Sequence, residues 1–231
     1  MGTESSLVSC IMPTSNRRRF VSLAIGYFLN QTYAERELVI VDDGDDRVAD
    51  LIPADPRIRY VAVERGLTLG AKRNLACDLA RGSVIIHWDD DDWSAPHRIS
   101  YQRAELERQR ADLGLISRTY YLHPETASAW LHSYPLTLRA NRAGGTLCYR
   151  RVLWEHNPFP AIQLGEDSVF VREARAARRA ILLDPAFYVG IIHGANTSWK
   201  RRAGPYWHPR PLDELRRLMQ ADWHLYFAEP G

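Results

Sequence analysis

Four short, almost continuously apolar runs separated by helix-periodic stretches constrain this chain more than any other feature. Leu7 to Met12 is the first, and Pro13 is expected to stop it. Glu37 to Val41, Ile58 to Val63 and Val84 to Trp88 are the others. Between them, 17–30 carries Phe20, Leu23, Ala24 and Tyr27 at helical spacing, and 70–81 does the same with Leu75, Ala76 and Leu79, ending at Gly82. Strands without polar alternation are buried on both faces, so the pattern predicts a mostly parallel sheet flanked by helices, a Rossmann-like α/β half. Beyond a helix expected over 100–109 the periodicity changes. Strand-like pieces at 114–122 and 146–150, a helix at 167–179, a strand at 180–189 and an amphipathic helix at 212–226 follow. One domain over 1–231 is expected, with a first half at about 6–110, a second at about 111–200 and a C-terminal segment at 201–231.

Hydrophobic residues at 45% and charged residues at 25% describe a globular protein rather than a disordered one. Lys plus Arg (30) nearly balances Asp plus Glu (28), leaving +2, so no global field draws in nucleic acid. No basic leader and no run of 18 apolar residues is present, which predicts a cytoplasmic protein. Cys10, Cys77 and Cys148 are widely spaced and read as buried free thiols.

The fourth run ends in Asp89, Asp90, Asp91 and Asp92, closed by Trp93. Carboxylates this close repel one another unless a cation shares them, and hard divalent ions suit such oxygens. Mg²⁺ or Mn²⁺ takes one or two protein carboxylates and completes its octahedron with water and phosphates, which implies a diphosphate ligand. An exposed acidic turn is the plainer alternative. In open α/β sheets ligands lie beyond the carboxyl ends of the strands, where Pro13-Thr14-Ser15-Asn16 and Asp42-Asp43-Gly44 also fall. Asp42 or Asp43 is suited to accept from a base N–H or a ribose hydroxyl. Neither Gly-x-Gly-x-x-Gly nor a Walker loop occurs, which removes sequence support for a dinucleotide dehydrogenase or P-loop hydrolase.

Taken in order, Val8 to Arg17, Val39 to Gly44, Gly70-Ala71-Lys72-Arg73-Asn74, Asp89 to Trp93 and Gly165-Glu166-Asp167 resemble the inverting glycosyltransferases of family 2, which have the GT-A fold. The resemblance covers most of 6–199. It implies that Pro13, Thr14, Asn16, Asp42 and Asp43 hold the nucleotide base and ribose, and that Lys72 and Arg73 lie near the nucleotide sugar. Arg73 serves equally as a solvated helix residue. The family's DxD pattern falls on Asp89 and Asp91, with Asp91 the direct metal ligand, Asp89 on the ribose or a metal-bound water, and Asp92 an alternative ligand. Asp90 exceeds the pattern and either joins the nucleotide set or faces solvent. Asp167, with Glu166 beside it, is the implied general base, since inversion needs an acceptor hydroxyl deprotonated opposite the leaving group. Both acids also suit a helix N-terminus.

His193, beyond the Ile191-Ile192 strand end, is a further candidate metal ligand or a structural histidine. The run Lys200-Arg201-Arg202 is suited to neutralise a diphosphate or to form a surface turn. Gly144-Gly145-Thr146 resembles the family's acceptor loop, and Trp88, Trp93 and Trp130 are candidates for sugar stacking or for the core. The implied activity is metal-dependent, inverting transfer from a nucleoside diphosphate sugar, a UDP-sugar by preference, to a glycan, lipid-linked, small-molecule or peptide hydroxyl. Peripheral membrane contact through the C-terminal segment fits the same reading. A sugar nucleotidyltransferase, or a non-catalytic nucleotide-sugar or calcium-binding module, is the alternative.

Overall fold

The structure is a computed structural model and describes residues 6–135, 144–197 and 204–227. Its first sheet contains β1 (Val8–Thr14), β2 (Arg36–Asp42), β3 (Ile58–Ala62), β4 (Val84–His87), β6 (Leu113–Ile116), β9 (Cys148–Arg150) and β10 (Arg179–Leu182). The spatial order is β10-β6-β9-β4-β1-β2-β3, parallel except for β9, which runs against both neighbours. Chain order reverses between β1 and β4, which puts the expected ligand crevice at their carboxyl ends.

Alternate residues of β1 feed two different cores. Val8, Cys10 and Met12 pack with Val21, Ala24 and Phe28 of α1 (Arg18–Leu29), while Ile11 joins Ala76 and Cys77 of α2 (Leu69–Leu79) and Phe170 of α5 (Glu166–Glu173). Helices therefore cover both faces, as near-continuous apolar strands require. The three cysteines are buried free thiols. Pro13 does not stop β1. Ile11 bonds across to the β4 side through Trp88, and Pro13, two residues on, faces the same way past the last β1–β4 pair, Ile11 with His87. Its missing N–H falls where no ladder partner is needed.

A second sheet has the order β12-β8-β7-β11-β5, from β5 (Trp93–Ser94), β7 (Arg118–His123), β8 (Ser128–Ser133), β11 (Tyr188–Ile191) and β12 (Trp207–Arg210). The strand expected over 114–122 is two strands, β6 in one sheet and β7 in the other, changing sheets at Ser117. That over 180–189 likewise divides into β10 and β11, with Pro185 between. The helix expected over 167–179 ends at Glu173, and 212–226 is α6 (Leu212–Met219) followed by a 3₁₀ stretch, Gln220–Leu225, entered through Gln220 at φ 51°. The strands β8 and β12 and the short α4 (Arg151–His156) carry too little apolar periodicity to be foreseen. Helix α3 (Arg98–Arg108) lies close to its expected place. Leu215, Met219 and Trp223 are buried in the main core, and among the described residues no helix is long and apolar enough to cross a membrane.

Candidate active site

Strand β4 belongs to the first sheet and β5 to the second, so the four aspartates between them bridge the two sheets and their side chains fan outward. Val189 pairs with Trp93 and Tyr188 with Ser94, fixing the far end of the turn. Each carboxylate meets a different partner. Thr14 Oγ1 donates to Asp90 Oδ2 at 2.6 Å. Arg17 Nη1 donates to Asp91 Oδ2 at 2.8 Å, and His193 Nε2 lies 3.0 Å from the same oxygen. Asp92 accepts from the Tyr188 hydroxyl and, at 2.6 Å, from the Ile191 N–H. Asp89 Oδ1 stands 3.7 Å from the Arg73 guanidinium.

Asp90 is buried rather than solvent-facing, because Thr14 at the end of β1 covers it. Burial, with the charge of Asp91 second, pushes its carboxyl up to about 7. Asp92 is held well above the usual carboxylate range by burial and then by Asp91 and Asp89. Burial would raise Asp91 too, but the His193 hydrogen bond and the Arg17 charge outweigh it and leave the group lowered.

A sign follows for the ligand-free chain. Asp90 titrates near 3.8 when unfolded and near 7 when folded, so its contribution to stability is complete below the first value and is lost as pH rises through the second. Asp90→Asn is expected to flatten that decline and to raise the melting temperature at about pH 8, read by thermal unfolding from about pH 4 to 8.

The nucleotide-side candidates are close together but already engaged. Asp42, fully buried, accepts from Gly44 N at 2.8 Å, Val48 N at 3.1 Å and the Tyr60 hydroxyl at 2.8 Å, so its carboxylate shapes the turn after β2. Lys72 Nζ donates to Asp43 Oδ1 at 2.6 Å and to the Thr14 carbonyl at 3.1 Å, tying β1, β2 and α2. Asn16, at a left-handed φ of 55°, accepts from Asp46 N at 2.9 Å. Arg73 is buried, not solvated: its Nε donates to Glu166 Oε1 at 3.0 Å and Nη1 meets His87 Nδ1. Burial raises Glu166 against the opposing charge of Arg73.

A cavity of about 180 Å³ is lined among others by Pro13, Asp89, Asp91, Gly144, Gly145 and Asp167, while Thr14, Asn16, Asp42, Asp43, Lys72 and His193 do not line it. The two glycines make the arrangement possible. A Cβ on Gly145 would sit 2.3 Å from Asp89 Oδ2, and one on Gly144 would sit 2.1 Å from Asp167 Oδ2. Gly145 thus packs against Asp89 and Gly144 against Asp167, and all four line the same cavity. Asp167 is half-buried, with Oδ1 accepting from Ser168 N at 2.6 Å.

The residues fit an open metal site better than a closed one. Among the described residues no three His, Cys, Asp or Glu side chains converge on a metal position. Asp89 and Asp91 nonetheless offer hard carboxylate oxygens to the cavity, the one- or two-ligand set that Mg²⁺ or Mn²⁺ uses alongside water and phosphates. His193 accepts from Ala195 N at 3.2 Å through Nδ1, which leaves Nε2 to carry the proton toward Asp91 in the neutral ring. Its ring stacks on Phe20 at 4.4 Å. Trp88 and Trp93 are core residues, buried to 1% and 2% exposure, and of the three tryptophans singled out only Trp130 is half-buried. Lys200, Arg201 and Arg202 lie outside the described residues.

Sequence reasoning gave no role to Arg17, Arg98, Tyr188 or Asn196. Arg17 follows Asn16 directly and was legible as a cation beside a ligand-binding turn. Tyr188 sits inside an apolar strand, and its partner Asp92 is 96 residues away, so nothing local marked it.

A sequence model described as Glycosyl transferase family 2 matches residues 9–163. The Escherichia coli glycosyl transferase WcaA, whose name places it in colanic acid biosynthesis, is 31% identical over 179 residues, covering 74% of this chain and 63% of WcaA. Among solved structures, S. aureus TarS in complex with UDP-GlcNAc superposes with a TM-score of 0.69 at 20% identity, over 83% of this chain and 60% of that one. The mannosyltransferase PcManGT of Pyrobaculum calidifontis, in complex with GDP-Man and Mn²⁺, gives 0.59 at 18% identity, over 80% and 56%. The architecture is the GT-A fold, and the chain belongs to glycosyltransferase family 2. It spans less than two thirds of each of these relatives.

Proposed function

We propose that this chain is a metal-dependent, inverting glycosyltransferase that moves a sugar from a UDP-sugar to an acceptor hydroxyl. The observation that carries the reading is the shared cavity, whose lining includes Asp89, Asp91, Gly144, Gly145 and Asp167. TarS is described with UDP-GlcNAc and PcManGT with GDP-Man and Mn²⁺, which supports a nucleoside diphosphate sugar and a cation in the same fold.

The part at about 6–110, which carries β1 to β4, supplies the donor half, and the part at about 111–200 supplies the acceptor half. Thr14, Asp43 and Lys72 hold the nucleoside end at the carboxyl ends of β1 and β2. Asp91, kept ionised by Arg17 and His193, and Asp89 would hold Mg²⁺ or Mn²⁺, which when bound offsets charge growing on the departing diphosphate. Arg73 keeps Glu166 and Asp89 in place and adds positive potential near the sugar. Asp167 takes the proton from the acceptor hydroxyl on the face opposite the diphosphate, and that oxygen then bonds to the anomeric carbon with inversion. Glu166, buried against Arg73, fixes the start of α5 and so aims its neighbour.

Thermal unfolding with UDP, GDP, ADP and CDP, each with and without Mn²⁺, tests this. A ligand that binds only the folded state raises the melting temperature. UDP with Mn²⁺ is expected to give the largest rise. Equal responses to every nucleotide, or no dependence on the cation, would contradict the donor assignment.

A further inference from the structure

Arg17 Nη1 at 2.8 Å, His193 Nε2 at 3.0 Å and Asn196 Nδ2 at 3.4 Å all converge on Asp91 Oδ2. The last two are anchored within their own segment. His193 N donates to Asn196 Oδ1 at 2.8 Å, Asn196 Nδ2 also reaches the Ile191 carbonyl at 3.1 Å, and Ala195 N donates to His193 Nδ1 at 3.2 Å. The imidazole is further fixed by its stack on Phe20. Arg17 is held differently. Its backbone is fixed at the N-cap of α1, where its carbonyl accepts from Phe20 N at 2.8 Å. Its guanidinium, at the end of a long unbranched side chain, is held by Asp91 and, at 3.3 Å, by the Thr197 hydroxyl. The guanidinium is free to exchange these partners while the backbone stays in place.

The pair stands where a cation and a diphosphate would meet. Arg17 and Asp91 both line the cavity, and their side chains are only 14% and 13% exposed. A full positive charge 2.8 Å from a carboxylate oxygen, screened little by water, repels a divalent ion approaching that carboxylate. It also occupies lone pairs that the ion would use. A diphosphate in the cavity changes the balance, because phosphate oxygens offer a guanidinium the paired acceptors that it binds most strongly. Once Arg17 has moved to them, His193 and Asn196 still orient Asp91, whose negative charge is then open to a cation.

We infer that Arg17 couples cation binding to diphosphate binding: paired with Asp91 it holds a divalent ion off, and a diphosphate draws the guanidinium away and opens Asp91 to the ion. The inference rests on the proposed donor site and adds an order to its filling, diphosphate with or before metal. By linkage, each ligand then strengthens the other.

The test titrates the full chain and its Arg17→Gln and Arg17→Ala variants with Mn²⁺ alone, followed by the electron paramagnetic resonance of the free ion, and with inorganic pyrophosphate alone, followed by calorimetry. UDP alone is titrated in parallel. Both variants are expected to bind Mn²⁺ about fivefold tighter than the unaltered chain, or more, because a repelling charge is gone. Both are expected to bind pyrophosphate about fivefold weaker, or more, because the guanidinium fork is gone. These opposite signs separate coupling from support, since a residue that merely shaped the site would lower both affinities. Mn²⁺ binding that is unchanged or weaker in the variants would overturn the assignment. So would pyrophosphate binding that is absent from the unaltered chain or unchanged in the variants, or failure of both variants to fold. Pyrophosphate that shows the expected loss while UDP does not bind keeps Arg17 in this role and removes the UDP donor reading. UDP that binds, with variants that lack the opposed pattern, removes the role of Arg17 alone.

Discussion

Asp167→Asn is expected to lower kcat by roughly 10²–10⁴-fold, the range over which a positioned general base contributes. The substitution preserves shape: an amide oxygen still accepts from Ser168 N, and the space beside Gly144 still admits the side chain. What it removes is the capacity to take a proton. Glu166 does not substitute, because its carboxylate is buried and engaged by Arg73 at 3.0 Å. Since Asn at this position keeps the volume of Asp and no quartet residue is altered, the UDP response with Mn²⁺ should be retained. A variant that transfers at the normal rate would assign the base elsewhere. One that loses UDP binding as well would make Asp167 part of the donor site.

Arg98→Met is expected to produce the largest loss of stability, about 3–5 kcal/mol from the polar groups it strands. Arg98 is 1% exposed. Its Nη2 donates to the His87 carbonyl at 2.5 Å and the Gly145 carbonyl at 2.6 Å, Nη1 donates to Ser94 Oγ at 2.8 Å, and Nε donates to Gln102 Oε1 at 3.1 Å. The guanidinium also lies over the rings of Trp88, at 4.8 Å, and Tyr188, at 5.0 Å. One side chain therefore joins the ends of β4 and β5, helix α3 and the diglycine. Methionine fills the volume but leaves two buried carbonyls unpaired, each worth about 1–3 kcal/mol. For a chain of this size the melting temperature should fall by about 10 °C. Arg98→Lys keeps a charge and a donor and should recover part of the loss, though not the fork that reaches Ser94 and Gln102 as well as the two carbonyls. An unchanged melting temperature in the Met variant would refute this structural role.

The parallel half of the fold was legible because its strands are apolar on both sides and its helices carry one clear stripe. Val84-Ile85-Ile86 followed by four aspartates pointed to the crevice before any coordinates. The second sheet was not legible in the same way. Strand β7 has Tyr120 and Tyr121 side by side and β8 interleaves Trp130 and His132 with Ala129 and Leu131, and Trp, Tyr and His serve equally in loops. β6 and β7 are separated by Ser117 alone, so a change of sheet looked like one strand. At the site, residue types were readable but pairings were not. Asp42 looked like a ligand contact, yet its bonds to Gly44, Val48 and Tyr60 depend on how the turn closes. Arg73 read as a contact near the nucleotide sugar or as a solvated helix residue, and its burial was not legible because its partners, Glu166 and Asp89, lie far along the chain.

The most direct measurement is a crystal of this chain soaked with UDP and Mn²⁺, with anomalous diffraction recorded at the manganese edge. The account predicts one anomalous peak within coordination distance, about 2.0–2.5 Å, of a carboxylate oxygen of Asp91 or Asp89, with the diphosphate on its other side and Asp167 facing the open end of the cavity. Manganese bound away from the aspartates, or UDP seated outside the cavity they share with Asp167, would contradict it.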